Sequence, residues 1–317
     1  MPCAIGDVMH PLVFIIVLNW NSWRDTLECL GSFEQVDYPN YRVLVVDNGS
    51  TDGSEERIRE AYPEIELLQT GANLGYAGGN NVGIRRALSH GAAYVLVVNP
   101  DVLVEQRTLT TLVDVASRHP RIGALSPVVR FKDKHEPVWF GGSVIHWQEG
   151  RVGHTTIQED GELCHPCAWA SGCCLLMSAE ALLEVGLLDQ RYFMYYEEAD
   201  LCQRMSRAGY MVAVCPLTNV FHQLSGGETA KHETPGFIYY MTRNSLMFFS
   251  RYVNQHGVSR VQLLWTLYRR YLLNRTTARA LRRRQPAAVA RFQACVDFAI
   301  GRYGASQRYS KQGKPFV

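Results

Sequence analysis

Long apolar runs are scarce in this chain of 317 residues. Those at residues 11–18 and 94–98 are far shorter than the roughly 20 apolar residues of a membrane-spanning helix, so none is expected. Residues 1–10 also lack the basic segment that opens a secretory signal. We therefore predict that the protein stays in the cytoplasm.

A disulfide framework is not indicated either, because the number of cysteines, nine, is odd. Cys164 and Cys167, followed by the adjacent Cys173 and Cys174, suggest a zinc or thiol-exchange site as an alternative. The second pair lacks the two-residue spacing of zinc ligands, and the first lacks the strand and helix that flank redox motifs. Zinc binding and redox chemistry are therefore the weaker interpretation.

Acidic residues are nearly absent from the end of the chain. Residues 251–317 contain 14 lysines and arginines and one acid, Asp297, whereas residues 1–250 contain 18 basic and 29 acidic residues. The acidic first part argues against a broad nucleic-acid-binding surface. The two parts are expected to meet different partners.

Short β-branched runs alternate with helical patterns over the first 130 residues. The predicted strands are residues 13–18, 42–46, 64–68, 94–98 and 122–129. The predicted helices between them are residues 26–35, 54–61, 77–89 and 106–117. This alternation is typical of an α/β fold with a mostly parallel sheet covered by helices on both faces.

The second half of the chain has a different pattern. Residues 137–167 are rich in Gly, Trp and His and indicate a hairpin insertion. A helical segment, 179–185, precedes an acidic helix at 197–207. Residues 236–304 indicate two or three further helices, rich in arginine and aromatic residues.

Polar clusters follow three of the predicted strands, beginning at Asn19, Asp47 and Asn99. Ligands of such sheets bind where the carboxyl ends of the strands gather. Asp47 could accept a hydrogen bond from a nucleobase, and Asp101 could bind Mg²⁺ or Mn²⁺ on a diphosphate. Each segment taken alone also fits an ordinary turn or helix cap.

Five glycines surround the start of a helix in residues 71–83. They allow backbone to approach a ligand closely and to offer N–H groups to phosphate. The segment matches neither the dinucleotide fingerprint nor the P-loop, so a tight loop with close helix packing is an equal alternative.

Three carboxylates, Glu197, Glu198 and Asp200, open the acidic helix after a run of aromatic residues. The two glutamates point about 100° apart on a helix and need not share one role. One of them, in a partly apolar pocket, could have a raised pKa and accept a proton from an acceptor hydroxyl. Asp200 could instead pair with Arg204 one turn on, and His222 could be a second metal ligand.

In this order the segments resemble the family 2 glycosyltransferases with the GT-A fold, particularly their bacterial rhamnosyltransferase-like branch. The resemblance covers residues 12–250 and lies in the following sequences: 17–22 (VLNWNS), 45–52 (VVDNGSTD), 73–83 (NLGYAGGNNVG), 99–101 (NPD), 169–172 (WASG), the acidic helix and His222.

The resemblance implies a role for each matching residue. The donor nucleotide sugar would be bound by Asn19, Trp20, Asn21, Asp47, Asn48, Gly75, Tyr76, Asn80, Asn99 and Asp101. Asp101 and His222 would hold Mg²⁺ or Mn²⁺. Glu198 would be the catalytic base, and the acceptor or its helix would be oriented by Glu197, Asp200, Trp169 and Gly172.

Two positions depart from the family pattern. Asn99 replaces the first acid of the DxD element, which weakens metal binding without excluding it. Glu198 replaces the aspartate of the Glu-Asp dyad and lengthens the base by one methylene, a change in reach of roughly 1 Å that affects proton transfer.

The resemblance implies an inverting transfer of rhamnose or a similar hexose from a dTDP- or UDP-sugar to a hydroxyl of a glycan or lipid-linked glycan, in cell-surface polysaccharide synthesis. The alternative is a non-catalytic nucleotide-sugar or glycan-binding module on the same fold. We predict a GT-A domain at 1–235, divided into a nucleotide-binding half (11–130) and an acceptor half (131–235), and a basic helical extension at 236–317.

The basic extension is expected to meet a membrane. The segment that begins at Leu263 and ends at Arg284 interleaves apolar and arginine side chains, as an interfacial helix on the inner face of an anionic membrane would. A solvated basic face and a homodimer contact are the alternatives.

Overall fold

The computed structural model describes residues 10–132, 138–157, 160–223, 234–272 and 275–310. Parts of the predicted insertion (137 and 158–159) and of the predicted extension (273–274 and 311–317) lie outside these ranges. In the ranges described, no helix combines the length and the apolar character that crossing a membrane requires.

The strands are β1 (Val13–Asn19), β2 (Tyr41–Asp47), β3 (Glu66–Gln69), β4 (Tyr94–Val98), β5 (Val102–Val104), β6 (Ile122–Phe131), β7 (Val138–Phe140), β8 (Ser143–His146), β9 (Arg151–His154), β10 (His165–Pro166), β11 (Cys174–Ser178) and β12 (Met211–His222). The helices are α1 (Trp23–Phe33), α2 (Ser54–Ala61), α3 (Gly75–Ser89), α4 (Thr108–Arg118), α5 (Ala179–Val185), α6 (Glu197–Arg207), α7 (Pro235–Tyr252), α8 (Arg260–Tyr271), α9 (Arg275–Arg282) and α10 (Pro286–Ala299).

The main sheet follows the path β10-β12-β6-β11-β4-β1-β2-β3. Strands β1 to β4 pair in parallel, as the alternation predicts. β11 runs antiparallel between β4 and β6, and β12 is parallel to β6, so β6 shares the direction of β1 to β4 but does not touch them. The sheet is therefore mixed beyond β4. The sequence pattern does not predict this, because an apolar run such as β11 does not reveal the direction of its strand.

The predicted insertion is only partly a hairpin of its own. β8 and β9 form a separate two-stranded antiparallel sheet. β7 pairs with β6, and β10 pairs with β12 in the main sheet. The segment is therefore joined to the main sheet at both ends.

Helix α3 lies directly on the central strand β1, whose seven residues are all buried. The packing depends on two glycines. A Cβ atom at Gly79 would lie 2.5 Å from Leu18 Cδ1, and one at Gly83 would lie 2.7 Å from Ile16 Cγ2. Of the two predicted uses of the glycine-rich segment, close helix packing is present.

Helix α7 is built into the main core. Phe248, Phe249 and Tyr252 are fully buried with the side chains of the sheet. Asp200 at the start of α6 accepts hydrogen bonds from Arg251 Nη1 (2.8 Å) and from the Tyr252 hydroxyl (2.7 Å). α7 therefore fixes the first turn of the acidic helix α6. The domain division at residue 235 stays a prediction.

Candidate active site

Three polar side chains lie side by side at the carboxyl ends of β1, β2 and β3. The strand register places Asn19 beside Asp47 and Asp47 beside Gln69. Asn19 Nδ2 donates to Asp47 Oδ1 at 2.6 Å, and Gln69 Nε2 donates to Asp47 Oδ2. The Ser50 hydroxyl donates to Asp47 as well. The buried Asp47 carboxylate is thus hydrogen-bonded on both oxygens.

Sequence reasoning missed Gln69 in this network. The signal was present, because Gln69 ends β3 as Asp47 ends β2, and parallel register places such residues side by side. Thr26 on α1 completes the network by donating to Asn19 Oδ1 at 2.9 Å. We call Asn19, Asp47 and Gln69 the donor edge.

The two residues after Asn19 form the rim of the donor edge. Asn21 has a φ of 53°, its N–H donates to Ser50 Oγ at 2.9 Å, and its side-chain oxygen accepts from the Thr51 N–H at 2.8 Å. Trp20 is half-buried beside it. The loop after β1 is thereby tied to the loop after β2.

Asn48 ties the glycine-rich segment to the donor edge. Its Nδ2 donates to the Gly75 carbonyl at 3.1 Å, and its Oδ1 accepts from the Leu74 N–H at 3.0 Å. Gly75 has a φ of 74°, and a Cβ atom there would lie 2.3 Å from the Phe193 carbonyl oxygen. Only glycine fits at this position, because the backbone before α6 passes so close to it.

Asn80 on α3 is buried, and its Nδ2 donates to the Tyr76 carbonyl at 3.1 Å. Its Oδ1 has no hydrogen-bond partner among the residues described. Asn80 therefore keeps one free acceptor inside the protein.

Asp101 and His222 lie together although 121 positions separate them, because His222 ends β12 and pairs with Val102. Both are buried, and His222 Nε2 lies 3.0 Å from Asp101 Oδ1. The contact lacks hydrogen-bond geometry, and Asp101 Oδ1 and both imidazole nitrogens have no hydrogen-bond partner in the described ranges. These are buried polar atoms that a bound ligand could satisfy.

The Asp101–His222 pair fits a divalent cation. Two ligands at right angles around an octahedral cation with bonds of about 2.1 Å lie about 3.0 Å apart. The part of the chain described here contains no group of three His, Cys, Asp or Glu side chains suited to a metal, the four cysteines considered for zinc included. A cation bound here would complete its shell with diphosphate oxygens and water, as Mg²⁺ commonly does.

Asn99 stands where the family pattern has its first acid. It follows β4 directly, and its N–H donates to the Cys173 carbonyl at 2.9 Å. This bond joins the Asn99–Asp101 turn to the segment before β11. Asn99 therefore lies next to the Asp101–His222 pair.

Glu197 and Glu198 at the start of α6 form a second pair with buried, unsatisfied oxygens. Glu197 is 3% exposed, and Oε2 of each residue has no hydrogen-bond partner among the residues described. Burial raises the pKa of Glu197 well above its ordinary value, and the charge of Glu198 raises it further. Burial raises the pKa of Glu198 to about 7, while a hydrogen bond from Glu197 lowers it. Both carboxyl groups are therefore easier to protonate than an exposed glutamate.

Gly172 lies in contact with both Tyr76 and Glu198. The Tyr76 hydroxyl donates to the Gly172 carbonyl, and a Cβ atom at Gly172 would lie 3.7 Å from Glu198 Cβ. The neighbouring Cys173 thiol has its pKa raised to about 12 by burial, and the charges of Asp101 and Glu198 raise it further. The Asn99–Asp101 turn is bonded to Cys173 and Glu198 lies beside Gly172, so both pairs lie near the segment before β11.

Asp200 is separate from this group in function. It is fully buried, and besides the two donors from α7 it accepts from Arg204 Nε at 2.9 Å and from the Tyr192 hydroxyl at 3.3 Å. The predicted ion pair with Arg204 is thus present. With its oxygens occupied, Asp200 is suited to hold the helix rather than to contact an acceptor.

Trp169 lies in an aromatic cluster, with its ring centre 5.2 Å from that of Phe140 and 5.4 Å from that of His154. Trp139 of the same cluster lies 5.5 Å from His222. Trp169 Nε1 is buried without a hydrogen-bond partner in the described ranges. The cluster therefore adjoins the Asp101–His222 pair and offers one free donor.

Residues 14–186 match the sequence model of the family described as Glycosyl transferase family 2. This chain belongs to glycosyltransferase family 2. The resemblance on which the sequence-based predictions rest is thereby confirmed.

Relatives of this glycosyltransferase carry rhamnosyltransferase names. The N-acetylglucosaminyl-diphospho-decaprenol L-rhamnosyltransferase of Mycobacterium tuberculosis is 33% identical in an alignment of 276 residues that covers 77% of this chain and 86% of that protein. The dTDP-rhamnosyl transferase RfbF of Shigella flexneri is 19% identical over 250 residues, 77% of this chain and 81% of its own.

A solved structure shows the same fold. The mannosyltransferase PcManGT of Pyrobaculum calidifontis, solved with GDP-mannose and Mn²⁺, superposes with a TM-score of 0.55 at 18% identity and covers 92% of this chain and 88% of its own. The predicted α/β class with a GT-A sheet is confirmed.

Proposed function

We propose that this glycosyltransferase moves L-rhamnose from dTDP-rhamnose to a hydroxyl of an N-acetylglucosaminyl diphospho-lipid, with inversion at the anomeric carbon. The observation that carries the proposal is the placement of two pairs with buried, unsatisfied polar atoms, Asp101–His222 and Glu197–Glu198, near the Gly172–Cys173 segment before β11. The sugar, the nucleotide and the lipid are those in the names of the two relatives.

In the proposed reaction the acceptor hydroxyl oxygen attacks the anomeric carbon from the face opposite the leaving group. A carbon–oxygen bond forms to the acceptor while the bond from the anomeric carbon to the diphosphate oxygen breaks. Its electron pair leaves with dTDP, and the hydroxyl proton passes to Glu198. Because one in-line displacement occurs, the configuration inverts.

Glu198 suits the role of base because its pKa, raised by burial to about 7, matches the pH at which it would act. Glu197, whose pKa burial raises well above its ordinary value, would support Glu198 from the same turn of α6. Gly172 packs closely beside Glu198: a Cβ atom at Gly172 would lie 3.7 Å from Glu198 Cβ and 3.0 Å from the Tyr76 hydroxyl.

Asp101 and His222 would hold Mg²⁺ or Mn²⁺, with Asn99 beside them. A cation there would neutralise charge that builds up on the departing diphosphate. The Mn²⁺ in the PcManGT structure supports a divalent cation for this fold.

The donor edge would bind the nucleotide. Both Asp47 oxygens already accept hydrogen bonds from protein donors, so Asp47 would act by orienting Asn19 and Gln69 as much as by direct contact. Trp20, Asn21, Asn48, Gly75, Tyr76 and Asn80 would line the remainder of the donor site. Trp169 and Gly172 would face the acceptor.

A lipid-linked acceptor favours contact with an anionic membrane through α8. Leu263 and Leu267 are buried and lie against Gly150, so the exposed side of α8 is formed by Val261 (78% exposed) and Trp265 (58% exposed) with Arg269. An aromatic ring beside a cation is typical of interfacial helices. Trp265→Ala should weaken sedimentation with phosphatidylglycerol vesicles; unchanged sedimentation would favour the homodimer contact instead.

A direct assay tests the proposed function. Purified protein with Mn²⁺ is given dTDP-L-rhamnose and a synthetic N-acetylglucosaminyl diphospho-prenol, with UDP- and GDP-sugars as parallel donors. We expect rhamnosyl transfer, with a product whose anomeric NMR coupling shows inversion. Binding of dTDP without turnover of any donor would favour the non-catalytic module, and preference for a GDP-sugar would contradict the pyrimidine donor.

A further inference from the structure

The backbone directly before Glu197 has an unusual conformation. Phe193, Tyr195 and Tyr196 have φ values of 65°, 69° and 73°. Bulky non-glycine residues seldom adopt this left-handed region, and three within four residues require support from their surroundings. We call residues 192–196 the aromatic turn.

Two adjacent residues in the middle of α7 supply that support. Asn244 Nδ2 donates to the carbonyls of Tyr192 (3.0 Å), Met194 (2.7 Å) and Tyr195 (2.9 Å). Asn244 is fully buried. One amide group therefore holds three carbonyls of the aromatic turn.

Arg243 holds the beginning of the same turn. Its Nη2 donates to the carbonyls of Arg191 (3.2 Å) and Tyr192 (2.9 Å), and its Nε donates to Asn244 Oδ1 at 3.0 Å. Its Nη1 donates to the Gly304 carbonyl at 2.7 Å. Arg243 is 1% exposed, and a charge buried so completely is costly unless its hydrogen bonds are satisfied, as they are here.

The aromatic turn also contacts the glycine-rich segment at the start of α3. The Phe193 carbonyl accepts from the Ala77 N–H at 3.3 Å and lies against Gly75, where a Cβ atom would approach it to 2.3 Å. The turn thus touches the glycine-rich segment on one side and α7 on the other. It leads directly into the Glu197–Glu198 pair.

We propose that Arg243 and Asn244 are positioning residues for glycosyl transfer: by holding the aromatic turn in its left-handed conformation, they set where the Glu197–Glu198 pair stands relative to the bound donor. They touch neither substrate and act through the backbone. The inference rests on the proposed function, because it requires Glu198 to be the base.

The sharpest test is Asn244→Asp, which keeps the side-chain volume but turns the amide donor into a carboxylate facing three carbonyl oxygens. We expect kcat for rhamnosyl transfer to fall about 100-fold, the size of effect that a 1 Å displacement of a reacting group produces. KM for dTDP-rhamnose should stay within about twofold of wild type, because uniform donor binding is unaffected.

The pH profile supplies a readout that a purely structural role would not move. If the aromatic turn loosens, water reaches Glu198 and the burial that raises its pKa diminishes. The midpoint of the kcat profile in the variant should therefore lie at lower pH than in wild type. Arg243→Lys, which keeps the charge and one donor nitrogen, should show an intermediate loss of kcat and a smaller shift of the midpoint.

Asn254→Asp is the matched control, since Asn254 is exposed and its side chain accepts a local hydrogen bond from the Arg260 N–H at 3.2 Å. It should leave kcat and the midpoint unchanged. Calorimetric binding of dTDP with Mn²⁺ shows that each variant is folded. If Asn244→Asp does not bind dTDP, Arg243→Lys decides the question by the same two readouts.

A wild-type kcat with an unmoved midpoint in a folded Asn244→Asp, or in Arg243→Lys where that variant decides, would overturn the inference. A wild-type protein that transfers no sugar would instead contradict the proposed function.

Discussion

The donor edge and the two pairs, Asp101–His222 and Glu197–Glu198, differ in their hydrogen bonding. The buried polar groups of the donor edge are hydrogen-bonded, whereas several of those in the pairs are not. At the donor edge Asp47 accepts hydrogen bonds from Asn19, Ser50 and Gln69. In the two pairs, Asp101–His222 and Glu197–Glu198, several buried oxygens and nitrogens have no hydrogen-bond partner in the ranges described.

This difference suggests a structural role for the donor edge and a role in binding or reaction for the two pairs. An unpaired buried polar group costs roughly 1–3 kcal/mol, so a folded protein retains one where a ligand or a reaction uses it. The saturated donor edge costs no such energy and gives rigidity to the loops that, under the proposed function, would meet the nucleotide. The comparison predicts that changes to the pairs reduce activity, whereas changes to the donor edge first reduce stability.

The largest effect is expected for Glu198→Gln. Because glutamine cannot take up the hydroxyl proton, kcat for transfer should fall about 1000-fold, within the range found for general bases. Rates of dTDP release under saturating donor and acceptor measure it. Glu60→Gln, at an exposed position, is the control and should retain full activity. A loss of less than about tenfold in Glu198→Gln would show that another group accepts the proton.

Asp101→Asn should have the next largest effect. The amide keeps the shape but removes the charge that a cation requires, so activity at a fixed Mn²⁺ concentration should fall about 100-fold. Titration of activity with Mn²⁺ should show a midpoint at much higher concentration than in wild type. The free energy of unfolding should not decrease, because Asp101 Oδ1 has no protein donor among the described residues. An unchanged Mn²⁺ curve would place the cation elsewhere.

Asp47→Asn should reverse that pattern and cost stability. Its new amide hydrogens would face the amide donors of Asn19 or Gln69, so the free energy of unfolding should decrease by about 2 kcal/mol. Urea denaturation measures the change, and Asp114→Asn on the exposed side of α4 should have little effect. Equal stability of Asp47→Asn and wild type would remove the distinction between the two regions.

The smallest effect is the dependence on pH. Because burial raises the pKa of Glu198 to about 7, kcat should fall about tenfold for each pH unit below about 7. The same raised pKa means that the stability contributed by the protonated carboxyl is present below its ordinary pKa of 4.5 and is lost as the pH rises through about 7. Glu198→Gln should therefore be more stable than wild type at pH 9 and equal to it at pH 4. A profile flat from pH 5 to 8 would contradict the assignment.

The fold of the first part of the chain, from β1 to β4, can largely be predicted from local sequence. The alternating pattern fixes β1 to β4 and α3, because parallel buried strands need continuous apolar runs and the crossover helices between them are periodic. The positions of Asn19 and Asp47 at strand ends follow from the same pattern. The hydrogen bonds between them do not, since these depend on the register of neighbouring strands.

The remainder depends on contacts between distant residues. The direction of β11 is set by its neighbours β4 and β6, and Gln69 becomes part of the donor edge through pairing with β2. Asn244 reaches Tyr195, 49 positions earlier in the chain. No spacing within one segment encodes such a contact, so the support of the aromatic turn could not be predicted from sequence.

The comparison of the two regions is tested most directly by a crystal structure of the wild-type protein with dTDP and Mn²⁺, with anomalous data collected at the manganese edge. The account predicts one anomalous peak bound by Asp101 Oδ1 and His222 Nε2, with the diphosphate on its open side and the nucleoside at the donor edge. A manganese peak at the Glu197–Glu198 pair, or dTDP bound away from Asp101, would contradict it.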